Sequence, residues 1–265
     1  MSGDATLFLL FILNAMLVVM YLRLRRRSVR SREAARGQKN GWGTVPVRSV
    51  YELFPQFERS ELGPLASTAV SHIANDHTPG GISDYESWIL CNLAKHAENI
   101  FEFGTATGKT SYLLAANSPA QATIHTLTLA PAAHANYQHE IEDAKADFNS
   151  AIEESAFEHF VYSDTSVEPK INQHFGDSKT FYFGPYRDAV DLVFIDGSHA
   201  RSYVESDSNN ALNMLRAGGY LVWHDYRGPD ITPGVFAAIN LLADDLPLSQ
   251  IKGTCMVVYQ NPTIC

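Results

Sequence analysis

The sequence predicts an α/β protein: a mostly parallel sheet covered by helices on both faces. Three observations lead there. From Tyr85 onward, short apolar runs alternate with helical stretches of ten or more residues. Several of the runs are too apolar to lie at a surface, Val190–Ile195 (VDLVFI) most of all. And Glu102, Thr128, Asp164, Asp196 and Asp225 all fall at or near carboxyl ends of expected strands, the edge where open α/β sheets hold their ligands. A chain of 265 residues, 45% hydrophobic and 18% charged, suffices for one main core with a small extension.

In chain order, Ala5–Leu22 comes first, an uncharged run whose one strongly polar side chain is Asn14. Its length is at the short end of what crosses a bilayer core of roughly 30 Å, and residues 1–24 are expected to form a transmembrane anchor. A cleaved signal is the rival, but basic residues follow the run rather than precede it, and no small-residue cleavage site follows. The positive-inside rule then makes this a single-pass membrane protein with a cytoplasmic body. Eight basic residues against one acid lie between Arg23 and Lys39, so residues 25–45 read as a basic flexible linker. Residues 46–84 read as a lead-in that could cover a site, with helical patches at Ser49–Phe54 and Leu65–Ala74 broken by prolines and Gly80-Gly81.

Residues 85–265 form the expected main domain. Helices are expected over Tyr85–His96, Lys109–Ala116, most of Ala133–Glu154, His199–Leu215 and Val235–Ala243. Strands are expected at Asn99–Phe103, Ala122–Leu129, Glu158–Tyr162, Val190–Ile195 and Tyr220–Trp223, with a final strand or strand pair in Leu248–Tyr259. The net charge is −9, and from Asn40 onward 12 Lys and Arg face 27 Asp and Glu. That acidic body argues against a nucleic-acid partner, because phosphate contacts need clustered cations. Cys91, Cys255 and Cys265 are far apart and form no CxxC pair, so neither a disulfide framework nor a structural zinc site is supported. The sequence sets no oligomeric state, and an oligomer stays open.

Three motifs carry chemistry. Glu102-Phe-Gly104-Thr-Ala-Thr-Gly108-Lys-Thr-Ser111 places a glycine loop between a strand and a helix, where backbone can approach a ligand and aim N–H groups at it. Gly108-Lys109-Thr110 invites comparison with a phosphate-binding P-loop, but the loop is one residue short and Phe103 stands where that motif needs glycine. Asp191-Leu-Val-Phe-Ile-Asp196-Gly-Ser-His199 releases an acid into a turn, with a histidine three residues on. Leu215-Arg-Ala-Gly-Gly-Tyr-Leu-Val-Trp-His224-Asp225-Tyr226 ends a buried strand on a His-Asp pair, residue types suited to a divalent metal or to acid/base work. Converging strand ends would gather Glu102, Asp196, His224 and Asp225 in one crevice.

From about Ser83 to Tyr259 the chain resembles the class I S-adenosylmethionine-dependent methyltransferases, most closely the macrocin- and catechol-type O-methyltransferases with FIDGSH and WHDY motifs. The resemblance implies a Rossmann-like, seven-stranded, mostly parallel sheet with a reversed C-terminal strand. It implies S-adenosylmethionine over Gly104, Thr105, Ala106 and Gly108, with Thr110 and Ser111 close by and Glu102 near the methionine part. Asp164 matches a position near the adenine, and Asp196 a position shared by cofactor and catalysis. One departure stands out: the second strand of the family ends in an acid that grips the ribose, and here Thr128 replaces it. By the same resemblance His199 is the base, and Asp196, His224 and Asp225 are candidate ligands for Mg2+ or another divalent cation. The implied reaction is methylation of a hydroxyl on a small-molecule, sugar or lipid-linked acceptor, the last suggested by the expected anchor. A methyltransferase-fold binding protein without catalysis and a short P-loop NTPase are the other readings.

Overall fold

The computed structural model describes residues 12–25, 28, 37, 41–76, 81–137, 140, 141 and 143–263. Helix α1 (residues 12–25) is exposed along its length. Among the described residues no helix is long and apolar enough to cross a membrane, which overturns the expected single-pass membrane placement. The first part of the expected anchor, residues 1–11, lies outside the described residues, as do residues 26, 27, 29–36 and 38–40 of the expected linker.

The lead-in contributes β1 (Val47–Arg48), α2 (Val50–Leu53) and a small hairpin of β2 (Arg59–Ser60) and β3 (Gly63–Pro64). The helix expected at Leu65–Ala74 is only a 3-10 turn, Ala66–Thr68, followed by extended chain. The main body runs α3 (Asp84–Ala94), β4 (Asn99–Phe103), α4 (Lys109–Asn117), β5 (Thr123–Thr128), α5 (Lys145–Glu154), β6 (Ile171–Phe175), β7 (Val190–Ile195), α6 (Arg201–Met214), β8 (Leu215–Trp223), α7 (Pro233–Leu242), β9 (Ser249–Ile251) and β10 (Val257–Gln260). Helix α3 starts on a capping box in which Ser83 and Glu86 satisfy each other's backbone N–H.

The sheet has eight strands rather than seven, in the order β1-β9-β10-β8-β7-β4-β5-β6. The eighth is β1, a two-residue strand from the lead-in that pairs parallel with β9. Strand β10 is antiparallel to β8 and β9, as the resemblance implied for the end of the chain, and the pairs from β8 to β6 are parallel. The strand expected at Glu158–Tyr162 is absent; that segment ends in turns, and the third strand of the parallel half is Ile171–Phe175 instead. The helix expected at His199–Leu215 ends at Met214, and Gly218-Gly219 lies in a bulge of β8 where Leu215 pairs with Val190 and Tyr220 with Leu192.

Period-two alternation sends each strand's side chains to two cores. Phe101, Phe103, Val193, Ile195 and Trp223 pack with α6 and α7 on one face. Ile100, Leu192, Phe194 and Val222 pack with α3, α4 and the lead-in residues Val50, Phe54 and Phe57 on the other. All six residues of β7 are buried, as befits a strand flanked by β8 and β4 inside the sheet.

Candidate functional site

The carboxyl ends of β4, β5, β6, β7 and β8 meet at one edge of the sheet. From β4 the chain enters the glycine loop. Gly104 has φ +95, and a Cβ there would lie 2.0 Å from the Asp196 carbonyl oxygen, so only glycine lets the loops after β4 and β7 pack together. Ala106 (φ +42) and Asp225 (φ +59) also occupy the left-handed region without being glycine, a strain that collects at functional sites.

Two cavities open at this edge. The first is lined by Gly104, by Thr128 and Leu129 after β5, by Gly176, Asp177 and Ser178 after β6, by Asp196, Gly197 and Ser198 after β7, and by Tyr137, Tyr203, Asp207 and α5. The second, about 240 Å³, is lined by the 104–107 loop, Lys109, Thr110, Asp196, His199, His224, Asp225, Arg227 and Gly81 of the lead-in. Gly104, Ala106, Glu154 and Asp196 wall both.

Of the residues the sequence singled out, Gly104, Ala106, Thr128, Asp196, His199, His224 and Asp225 come together here, with Thr105 and Thr110 alongside. Others lie elsewhere. Glu102 alternates with Phe103, so it points to the α4 face, is 1% exposed and lines neither cavity. It accepts hydrogen bonds from the Ser111 and Thr126 hydroxyls. Burial pushes its carboxyl up to about 8, against those two bonds. Ser111 is thereby turned inward. Gly108 caps α4 at φ +75, with Phe160 and Tyr162 against it. Asp164 is exposed in a turn before β6, its N–H bonded to Glu168, and it lines neither cavity. Lys109, the residue a P-loop would aim at phosphate, instead donates to the Ala74 carbonyl at 2.9 Å.

The second cavity is built around charge. Asp225 receives His199 Nε2 at 2.6 Å on one oxygen and Arg227 Nη2 at 2.7 Å on the other. His224 Nδ1 lies 3.0 Å from Asp196 and 3.3 Å from Asp225, while its Nε2 is 3.5 Å from Glu86 and 3.3 Å from the Cys255 sulfur. Burial alone would favour neutral imidazoles. The surrounding carboxylates outweigh it, holding His199 up to about 9 and His224 well above its ordinary range. Asp225 is held well below the usual carboxylate range despite its burial, first by His224 and then by His199. Glu154 goes the other way: burial raises it to about 7, where two carboxylates, Asp196 and Asp225, add to the effect and His199 opposes it.

Tyr137, Glu154, Gly176–Ser178, Asp207 and Arg227 were not singled out from the sequence. A signal existed for one group: His174-Phe-Gly176-Asp177 is again a strand running into a glycine and an acid, but its strand was placed too early in the chain. For Glu154 and Asp207, which sit within helices, no local pattern marks them.

Residues 101–226 match the family model described as a methyltransferase domain, just under half of the chain, from β4 to the residue after Asp225. The fold and the matched segment define the class of this region: a Rossmann-like α/β domain similar to methyltransferase domains. Among curated proteins, the uncharacterized protein R132 of Acanthamoeba polyphaga mimivirus is 32% identical over 77 residues, 28% of this chain and 35% of R132, so the chain spans about a third of that relative. Among solved structures, the O-methyltransferase TomG of Streptomyces achromogenes, in complex with SAM, is 19% identical over 69% of this chain and 82% of its own, with a TM-score of 0.47. The SAH-bound methyltransferase PaMTH1 of Podospora anserina is 14% identical over 70% and 81%, with a TM-score of 0.48. At those scores, what TomG and PaMTH1 bind carries no inference about this chain.

Proposed function

We propose that residues 85–265 act as an S-adenosylmethionine-dependent O-methyltransferase domain on a small hydroxyl-bearing acceptor. One observation carries the reading: a segment matched to a methyltransferase domain presents five strand ends to two adjoining cavities that share the Gly104 loop. The first cavity suits the cofactor. It has the glycine approach, a mixed apolar and polar lining, and a buried Asp207 oxygen without a hydrogen-bond partner among the described residues. When bound, S-adenosylmethionine supplies an electrophilic methyl group.

The chain's own residues would do the rest by positioning. Glu154 and Asp196 place carboxyl groups where the cavities adjoin. His199, oriented by Asp225 through Nε2, has Nδ1 left to meet an acceptor hydroxyl. Its proton must first leave, because Asp225 holds it charged at neutral pH. Thr128 offers a ribose hydroxyl one hydrogen bond in place of a carboxylate's pair. With no helix among the described residues long and apolar enough to cross a membrane, the anchor gives no ground for a lipid-linked acceptor.

A divalent cation does not fit the donor set. Asp196, His224 and Asp225 bring ligand atoms within 4.8 Å of one another. Yet both oxygens of Asp225 are engaged by cationic partners, and His224 faces carboxylates from both ring nitrogens.

Isothermal titration with S-adenosylhomocysteine tests the reading. Micromolar binding, unchanged when magnesium is replaced by EDTA, is the expected result. No binding at millimolar ligand would sink it. Binding that never leads to methyl transfer across a panel of hydroxyl acceptors would favour the binding-protein reading that Thr128 motivates.

A further inference from the structure

His224 turns its two ring nitrogens to different surroundings. Nδ1 faces Asp196 and Asp225, while Nε2 faces Glu86 and Cys255, which line neither cavity. Glu86 comes from α3, Cys255 from the loop between β9 and β10, and His224 directly follows β8. All three are buried. The sulfur lies 3.3 Å from Nε2 and 3.2 Å from Glu86 Oε1, and Nε2 lies 3.5 Å from Glu86 Oε2. Zinc bonds of about 2.3 Å to sulfur and about 2.0–2.1 Å to nitrogen and oxygen, at tetrahedral angles, set ligand atoms about 3.3–3.6 Å apart. The three side chains thus already stand close to the spacing such an ion imposes. Glu86 is held in place. Its Oε2 accepts from the Ser83 N–H at 2.9 Å and the Ser83 hydroxyl at 2.7 Å, and its Oε1 from the Cys255 N–H at 2.9 Å. The second lone pair of Oε1 takes the Cys255 thiol hydrogen, the atom that a metal would replace.

We propose that Glu86, His224 and Cys255 bind one zinc ion through Oε1, Nε2 and Sγ. Thiolate, imidazole and carboxylate are the donors zinc takes, and a thiolate disfavours magnesium and calcium. On binding, the thiol and the imidazolium each release one proton to solvent. The ion's two positive charges therefore enter the buried cluster with no change in its net charge. His224 keeps its Nδ1 hydrogen, and Asp196, 3.0 Å away, is the carboxylate that orients a metal-bound imidazole. The Arg227 guanidinium also reaches the sulfur, but it is tied to Asp225, and the thiolate and the Glu86 carboxylate offset its charge. The Nδ1 side stays closed to a cation because both Asp225 oxygens are engaged. The Nε2 side differs, since loss of the thiol proton frees a sulfur and a carboxylate oxygen together. Three protein donors leave zinc's fourth position to water. The ion would join α3 and the β9–β10 loop to the end of β8, and so fix the ring that faces Asp196. His224 and Glu86 lie 31 and 169 residues from Cys255, a spacing that no local metal motif has. The site goes beyond the methyltransferase reading and does not depend on it.

The test is titration of the full chain, reduced and freed of metal, with cobalt(II), whose spectrum reports both thiolate ligation and coordination number. The expected result is one equivalent bound, with a thiolate-to-cobalt charge-transfer band and the intense visible bands of a four-coordinate ion, all bleached by one equivalent of zinc. Cys255→Ser should abolish the charge-transfer band, and Glu86→Gln should weaken zinc binding at least about tenfold. No charge-transfer band in the wild-type chain overturns the site, as does cobalt bound without one. A band that survives Cys255→Ser overturns it too. If Cys255→Ser fails to fold, the other two cysteines decide. A band kept in both Cys91→Ser and Cys265→Ser assigns the thiolate to Cys255, because the chain has three cysteines, and a band lost in either overturns the assignment.

Discussion

Asp225 accepts from His199 on one oxygen and from Arg227 on the other, in a residue held at φ +59. Removing its charge leaves the Arg227 guanidinium without its partner and takes away the main group that holds His199 charged. Asp225→Asn should therefore cost about 1.5–3 kcal/mol in urea unfolding; a loss under about 0.5 kcal/mol would show that the pairs contribute little. The His199 pair also sets a pH dependence. A folded-state pKa raised to about 9, from an unfolded value near 6.5, means stability fully present below pH 6.5 and lost as pH rises through 9. The gap in unfolding free energy between wild type and His199→Gln should accordingly narrow between pH 6.5 and 9.5. A gap that widens would place the histidine in the neutral form at pH 7. Glu102 is the opposite case, a buried carboxyl raised to about 8 and so neutral at pH 7. Glu102→Gln keeps its shape and neutrality, and should stay within about 1 kcal/mol of wild type at that pH.

At the scale of elements, the loops after β4 and β7 are mutually dependent. A methyl group on Gly104 would meet the Asp196 carbonyl oxygen and the Gly197 Cα at 2.8 Å, in a backbone conformation that alanine resists. Gly104→Ala should lower stability by about 1–3 kcal/mol and weaken S-adenosylhomocysteine binding together, because the backbone that must move walls both cavities. A variant with wild-type melting temperature and affinity would show that the loop relaxes freely. Strands β4, β5 and β7 were legible in the sequence because buried parallel strands read as apolar runs. Strand β6 was not: at the sheet edge its INQHF segment is half-exposed, so nothing forced it to be apolar. Strand β1 was missed because two residues carry no periodicity.

At the scale of the whole molecule, the lead-in is part of the body. Strand β1 extends the sheet beside β9, Val50, Phe54 and Phe57 complete one core, and Gly81 lines the second cavity. Deleting residues 1–60 should leave a chain without a cooperative thermal transition, since it removes β1 and the core side chains Val45, Val50, Phe54 and Phe57 at once. A sharp transition in that deletion would instead show that residues 61–265 fold without the strand and helix that precede them. Partition of the site was equally unreadable along the chain: Glu102 and Ser111 look like ligand contacts, yet they form a buried knot with Thr126 beneath the loop.

The sequence by itself determined the α/β class, the parallel half of the sheet, and the edge where Gly104, Thr128, Asp196, His199, His224 and Asp225 gather, because apolar periodicity and turn chemistry are local properties. Only the tertiary structure decided that Glu102 faces away from the cavities, that Asp225 is held between His199 and Arg227, and that Glu154 and Asp207 line them. Those outcomes depend on which face a strand turns to which helix, and on charges brought together from separate elements. Contacts between residues far apart in the chain leave no periodic trace along it.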